Sequence, residues 1–362
     1  MHINIIMADS AFDIGSIFGI DIQLHWTFLL LLLIAAFTGI LLPVIILFVF
    51  VVLHELAHSV TSRRNGIAVK KILLLPIGGA SIIDLEDANP DVSFRIALAG
   101  PLSSIFMGLG FGLIDIFLPA GGWKQIFQIF FLLNIILGVF NLLPAFPLDG
   151  GRVLKSWLEK KYDQYKATEI AVNVSKAIIF LFIAGSVIYL IQTPGGLFNS
   201  NSLFVVVWDL IVVLFVYSGA QGELEMSYII KYTANLRVSQ AISSNYAMVA
   251  PATKMRKVYE VLLKKGTHII LFQKGGKTYA VSKISVSPLS KETASILDSD
   301  VSAYASELPE IGYSAPLSKA IEKMRYEDAT VLAVMKGKRL AGILYAPHVE
   351  SVVALHLPTN PK

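Results

Sequence analysis

The 362 residues contain no cysteine. That excludes disulfides and thiolate metal sites, so any metal would have to be held by His, Asp or Glu. Charge is also scarce: 15% of the residues are charged and 55% are hydrophobic, against about 25% charged in an ordinary soluble domain. Together with a mean hydropathy of +0.66, this implies a membrane protein. The net charge of +4 comes from scattered cations with no dense basic run. Nucleic acid is therefore not an expected partner, and contact with anionic lipid accounts for the surplus. Of the 30 Lys and Arg, 12 fall in residues 1–222 and 18 in the last 140 residues, which divides the chain into a membrane part and a soluble tail.

What is present is a series of apolar runs near the length of about 20 residues that a bilayer requires. The first expected span covers about Leu24 to Leu42, and the acidic residues before it, without Lys or Arg, argue for a retained helix over a signal peptide. The second covers about Pro43 to Ser62, the third Phe94 to Leu118 and the fourth Lys124 to Leu143. A fifth begins as a charged helix near Gln164 and turns lipid-like from Ala177 to Ile191; a sixth covers about Leu203 to Gln221. Arg63, Arg64, Lys70, Lys71, Arg95, Arg152, Lys155, Lys160, Lys161 and Lys166 fall between spans two and three or four and five, and only Lys124 lies in an opposite-side loop. The positive-inside rule then predicts a multi-pass protein of the cell membrane with both termini and the tail in the cytoplasm.

Two segments do not read as spans. "VKKILLLPIGGASII", residues 69–83, is apolar but broken by Pro76, Gly78 and Gly79, which predicts a small β-hairpin. "NLLPAFPLDGGR", residues 141–152, predicts irregular backbone enclosed by protein, since bare backbone in lipid is costly. From about Ala234 the pattern becomes α/β. A segment from Ala250 is echoed 65 residues later from Ala315, each copy reading as helix, strand, Gly-Lys turn and strand. The expected organisation is a membrane domain over 1–222, a linker over 223–234 and a tandem α/β domain over 235–362.

"VVLHELAHSV", residues 51–60, sets three ionisable groups inside an apolar span. Each costs roughly 2.5–3.5 kcal/mol at a bilayer centre unless satisfied, so they call for a function. Four residues apart on a helix, His54 and His58 share a face and can bind one Zn²⁺, while Glu55 beside them can act as a base toward water. The bland reading is a hydrogen-bonded polar plug between helices. A catalytic zinc takes three protein ligands, and Asp149 in "PLDGGR" is the strongest third candidate because the fourth span returns it to the side on which the second ends. Gly150 and Gly151 would let the backbone bend sharply beside it; equally, Asp149 could cap the helix that follows. Asn141 could donate to an oxyanion or cap the fourth span.

"HELAH", the "GP" at Gly100 and Pro101, and "NLLPAFPLDGG" together resemble the site-2 protease family of intramembrane zinc metalloproteases, over roughly residues 15–222. The resemblance implies His54, His58 and Asp149 as zinc ligands, Glu55 as general base and Asn141 as a substrate- or oxyanion-binding residue. It implies that the strand from Gly78, through Gly79, is an edge on which a transmembrane substrate pairs. It further implies regulated release of a membrane-tethered cytoplasmic domain. The tail resembles a pair of CBS domains, which in some proteins bind adenine nucleotides. Here "AVSKISVSPLS" and "GILYAPHVES" replace the ends that carry a ribose-binding Asp, which speaks against a nucleotide and for a structural, regulatory or homodimerising role. The rival from another class is a divalent-metal transporter with a sensor tail, although residues 1–222 show none of the internal repeat that such a protein would be expected to carry.

Overall fold

The computed structural model describes residues 11–84, 88–193, 200–265, 269–282 and 297–357. It divides into two compact units, one of Met7–Tyr228 and one built mainly of Ile229–Lys362.

The membrane unit begins with a feature that the sequence analysis did not assign. Strands β1 (Ala11–Ile17) and β2 (Ile20–His25) form an antiparallel hairpin. The turn places Phe18 and Gly19 at φ of 53° and 72°, the left-handed pair that closes a tight two-residue hairpin. β2 continues in parallel to β3 (Val69–Leu75), which pairs antiparallel with β4 (Gly78–Ile83). The expected hairpin over 69–83 is thus half of a four-stranded sheet in the order β1-β2-β3-β4.

Because β2 takes residues up to His25, the first expected span shortens to α1 (Trp26–Phe37), which His25 caps by accepting from the Thr27 N–H. Gly39, at φ 78°, then turns the chain into α2 (Leu41–Arg64). Among the described residues, five helices are long and apolar enough to cross a membrane: α2, α3 (Pro90–Phe117), α4 (Gly122–Asn141), α6 (Gln164–Gln192) and α7, apolar from Phe204 within Ser200–Thr233. The 12 residues of α1 reach only about 18 Å. The sheet is fixed to the bundle by a core in which Ile20, Ile22, Ile72 and Leu74 meet Phe28 of α1 and Phe48, Val51 and Leu56 of α2. At the end of α2, Arg63 donates to the Phe18 and Gly19 carbonyls at 2.6 and 2.8 Å.

Between α4 and the short α5 (Asp149–Leu158) runs the irregular segment expected at 141–152. It is enclosed: Phe146 is fully buried against Ala171 and Val172 of α6 and Ala220 of α7, and its N–H donates to Ser175 Oγ at 3.0 Å. Gly150 and Gly151 serve close approach and not a bend. Both lie in the first turn of α5, where a Cβ would overlap the Leu142 and Leu143 carbonyls or the Phe146 backbone.

In the second unit both repeat copies take the expected form. One gives α8 (Met255–Lys265), β5 (Ile269–Lys274) and β6 (Lys277–Ser282); the other gives α9 (Leu317–Glu327), β7 (Val331–Lys336) and β8 (Arg339–Tyr345). Ile269, Leu271 and Ala280 of the first copy pack with Val331, Ala333 and Ile343 of the second in one core. Residues 223–233 of the expected linker continue α7, and residues 283–290, most of the first copy's altered end, lie outside the described residues.

Phe146→Ala removes a ring with no solvent exposure from the segment that leads to α5. It is expected to cost about 3–5 kcal/mol, read as a fall in the thermal unfolding midpoint of the detergent-solubilised protein.

Candidate metal centre

α2 and α3 build most of this site through matched four-residue spacings. His54 and His58 stand one turn apart on α2, and Ile96, Gly100 and Ser104 stand one turn apart on the facing side of α3. The His54 Nδ1 lies 2.9 Å from Ser104 Oγ, and the His58 Nδ1 donates to the Ile96 carbonyl at 2.6 Å. Gly100 lies between them. A Cβ there would collide with Nε2 of both rings, so only glycine leaves the space toward which the imidazoles point.

Asp149, the first residue of α5, completes the group. Its Oδ2 is 3.0 Å from His54 Nε2 and 3.1 Å from His58 Nε2, and the two Nε2 atoms are 3.3 Å apart. These three residues are a group that could hold a metal ion. Asp149 is not acting as a helix cap: the N-cap position of α5 falls to Leu148, and no side-chain capping bond is made there. Burial tends to raise its carboxyl pKa, but the neighbouring His58 and His54 outweigh this and hold it well below the usual carboxylate range.

The donor set fits a cation. A carbonyl only accepts, so the His58 Nδ1 must carry its hydrogen and, in the neutral ring, Nε2 presents a lone pair. Ser104 can accept from His54 in the same way. Two imidazole lone pairs and a carboxylate oxygen then face one point. A proton would relieve one pair of them at a time, whereas a metal ion serves all three. Two nitrogens and one oxygen suit Zn²⁺ and leave a fourth position for chemistry. Both histidines are buried, whereas the Asp149 side chain is 18% exposed, so the group is open on that side.

The other expected site residues fall around this group. Glu55 turns to the sheet, where its Oε2 accepts from the Ser81 N–H at 2.9 Å and from Ser81 Oγ at 2.7 Å. Gly79 lies under the Glu55 side chain, with no room for a Cβ, and Gly78 takes φ 140° next to the β3–β4 turn. Asn141 ends α4 and donates to its own helix, at the Leu137 carbonyl, 2.9 Å away. The residues that orient the imidazoles, Ile96 and Ser104, went unrecognised in the sequence. The signal was their position four residues on either side of Gly100.

Residues 42–120 and 111–182 match Peptidase family M50, a stretch that holds His54, Glu55, His58, Gly78, Gly79, Asn141 and Asp149. Over 337 residues the chain is 31% identical to the zinc metalloprotease MJ0392 of Methanocaldococcus jannaschii, covering 91% of each chain. It is 28% identical over 149 residues to the stage IV sporulation protein FB of Bacillus subtilis, covering 41% of this chain and 50% of that protein. Among solved structures, the site-2 protease from M. jannaschii is 36% identical and covers 59% of this chain and 95% of that one, with a TM-score of 0.43. A CBS domain protein from Pyrobaculum aerophilum complexed with AMP is 20% identical, covering 34% of this chain and 100% of that one, with a TM-score of 0.29. The membrane-length helices and the family match define a multi-pass membrane protein of the zinc metalloprotease class. The chain belongs to Peptidase family M50, the site-2 protease-like zinc metalloproteases.

Gly100→Ala sets a methyl group where both Nε2 atoms point. Zinc per purified chain, by elemental analysis, is expected to fall to near zero in this variant. Ser104→Ala, which removes only an orienting contact, is expected to weaken zinc affinity by about 10–100-fold in competition with a chelator.

Proposed function

We propose that this protein is an intramembrane zinc endopeptidase that hydrolyses peptide bonds within transmembrane segments of membrane-tethered proteins. The observation that carries this reading is the convergence of Asp149 of α5 on the same point as His54 and His58 of α2, a membrane-length apolar helix that also carries Glu55. The three would hold a single Zn²⁺, which when bound supplies the Lewis acidity that polarises the scissile carbonyl and acidifies water.

The chain's own residues do the rest. A transmembrane helix resists hydrolysis because its carbonyls are occupied, so it has to unwind locally. β4 ends the sheet order and offers an edge to which the unwound segment adds as a strand, replacing the lost backbone bonds. Glu55 takes a proton from the attacking water as the new C–O bond forms. It delivers that proton to the amide nitrogen as the C–N bond breaks. Asn141 exchanges its bond to Leu137 for one to the oxyanion of the tetrahedral intermediate.

Residues 1–222 form the protease domain, 223–234 join it to the tail, and 235–362 are a CBS-type regulatory or dimerising module. With the cations of the inter-span loops on the cytoplasmic side, the tail lies in the cytoplasm; α1 is too short to cross, and the bonds from Arg63 to Phe18 and Gly19 hold the first hairpin at the cytoplasmic end of α2, so that both termini face the cytoplasm. The physiological outcome is then regulated release of a cytoplasmic domain from its membrane anchor.

The test is cleavage of a panel of single-span proteins by the purified enzyme in liposomes. Wild type is expected to cut within the span. Glu55→Gln and chelator-treated wild type are each expected to lose at least about 10³-fold in rate, in keeping with the loss of a general base or of the metal. Metal flux through Glu55→Gln liposomes without any cleavage by wild type would replace the protease reading with transport.

A further inference from the structure

Ser81 stands where the candidate base meets the edge of the sheet. β4 is the last strand in its sheet, so among the described residues one of its edges has no strand partner. In an antiparallel strand, alternate residues turn their backbone polar groups to the same side. The Ser81 N–H is on the open side, because it donates to Glu55 Oε2. The Ser81 hydroxyl donates to the same oxygen and lies 3.2 Å from the hydroxyl of Ser59, a fully buried residue of α2 that can donate to it in turn. At Gly79 a Cβ would sit 2.6 Å from Glu55 Cγ, so the side chain of Glu55 lies across the strand from Gly79 to Ser81. The carboxylate therefore covers the stretch of edge to which a substrate would add, and occupies an N–H that the added strand would need.

We propose that Ser81 is a positioning residue for Glu55. Its backbone N–H is exchanged between the Glu55 carboxylate and a carbonyl of the incoming strand, while its hydroxyl keeps hold of the carboxylate throughout. This inference rests on the reading of the chain as a protease that pairs its substrate with β4. Before pairing, Oε2 accepts two hydrogen bonds and the base is held on the sheet. When a substrate carbonyl takes the Ser81 N–H, one of those donors is withdrawn, and Glu55 is left on a single pivot, free to turn off the edge. Strand addition and release of the base become one event, so a segment that does not pair does not release the base.

Binding and turnover test this separately. A fluorescent single-span peptide that wild type cleaves is titrated into Glu55→Gln and Glu55→Ala in nanodiscs. Neither variant has a base, so only binding is read. Gln keeps an oxygen that can accept from the Ser81 N–H, whereas Ala clears the edge. The expected result is binding about tenfold tighter to Glu55→Ala, the scale of one hydrogen bond; equal or weaker binding overturns the exchange. In the active enzyme, Ser81→Ala is expected to lower kcat about tenfold with KM not raised, and Ser81→Thr, which keeps the hydroxyl, to restore it. An equal fall in both variants, or a change in KM alone, overturns the positioning role. If wild type cuts no single-span peptide at all, the protease reading fails and takes this inference with it. Cleavage accompanied by equal peptide affinities removes the exchange alone.

Discussion

The arrangement depends on the close approach of α2 and α3 at Gly100. Three ionisable groups in an apolar bundle are tolerable only if each is held and oriented, and most of that holding comes from α3. Ile96 and Ser104 take the Nδ1 side of the two rings, so both Nε2 atoms point into the space that Gly100 leaves open. A side chain at position 100 would fill that space. The carbonyl of Ile96 also decides the tautomer of His58, and with it whether the ring offers a lone pair or a proton.

The rest of the membrane unit brings two further elements to that helix pair. The enclosed segment before α5, fixed by Phe146 in a pocket of α6 and α7, carries Asp149 to the imidazoles. The sheet is packed on α2 through Val51 and Leu56, residues on either side of His54, and it brings Ser81 to Glu55. His54, Glu55 and His58 thus lie within five residues of one helix yet face different neighbours. His54 and His58 look to α3 and α5, and Glu55 looks to β4.

Much of this was legible in the sequence because it rested on spacing and composition. Apolar runs of membrane length placed the five long helices, and the four-residue separation of His54 and His58 put them on one face. The repeat from Ala250 and Ala315 gave the architecture of the second unit. What escaped was structure that depends on partners distant in the chain. The alternation in "IDIQLH" is a strand pattern, but its first residues were read only as the acidic approach to a first span, and its last two were taken into that span, which proved to be the 12-residue α1. Ile96 contributes only a backbone carbonyl, which no side-chain pattern reveals. Gly150 and Gly151 were noted for the right segment and the wrong reason: they provide space at a crowded helix start and do not bend the chain. Ser81 is an ordinary strand serine until the fold sets it against Glu55.

The central claim is that His54, His58 and Asp149 converge because they hold one zinc ion. X-ray absorption at the zinc edge, on the purified full-length protein, tests it most directly. The account expects one zinc per chain, with a first shell of nitrogen and oxygen atoms at about 2.0–2.2 Å, four-coordinate, that is lost together with the metal in His54→Ala and in Asp149→Asn. A stoichiometric zinc whose first shell is unchanged in both variants, or a wild-type protein that takes up no zinc, would contradict it.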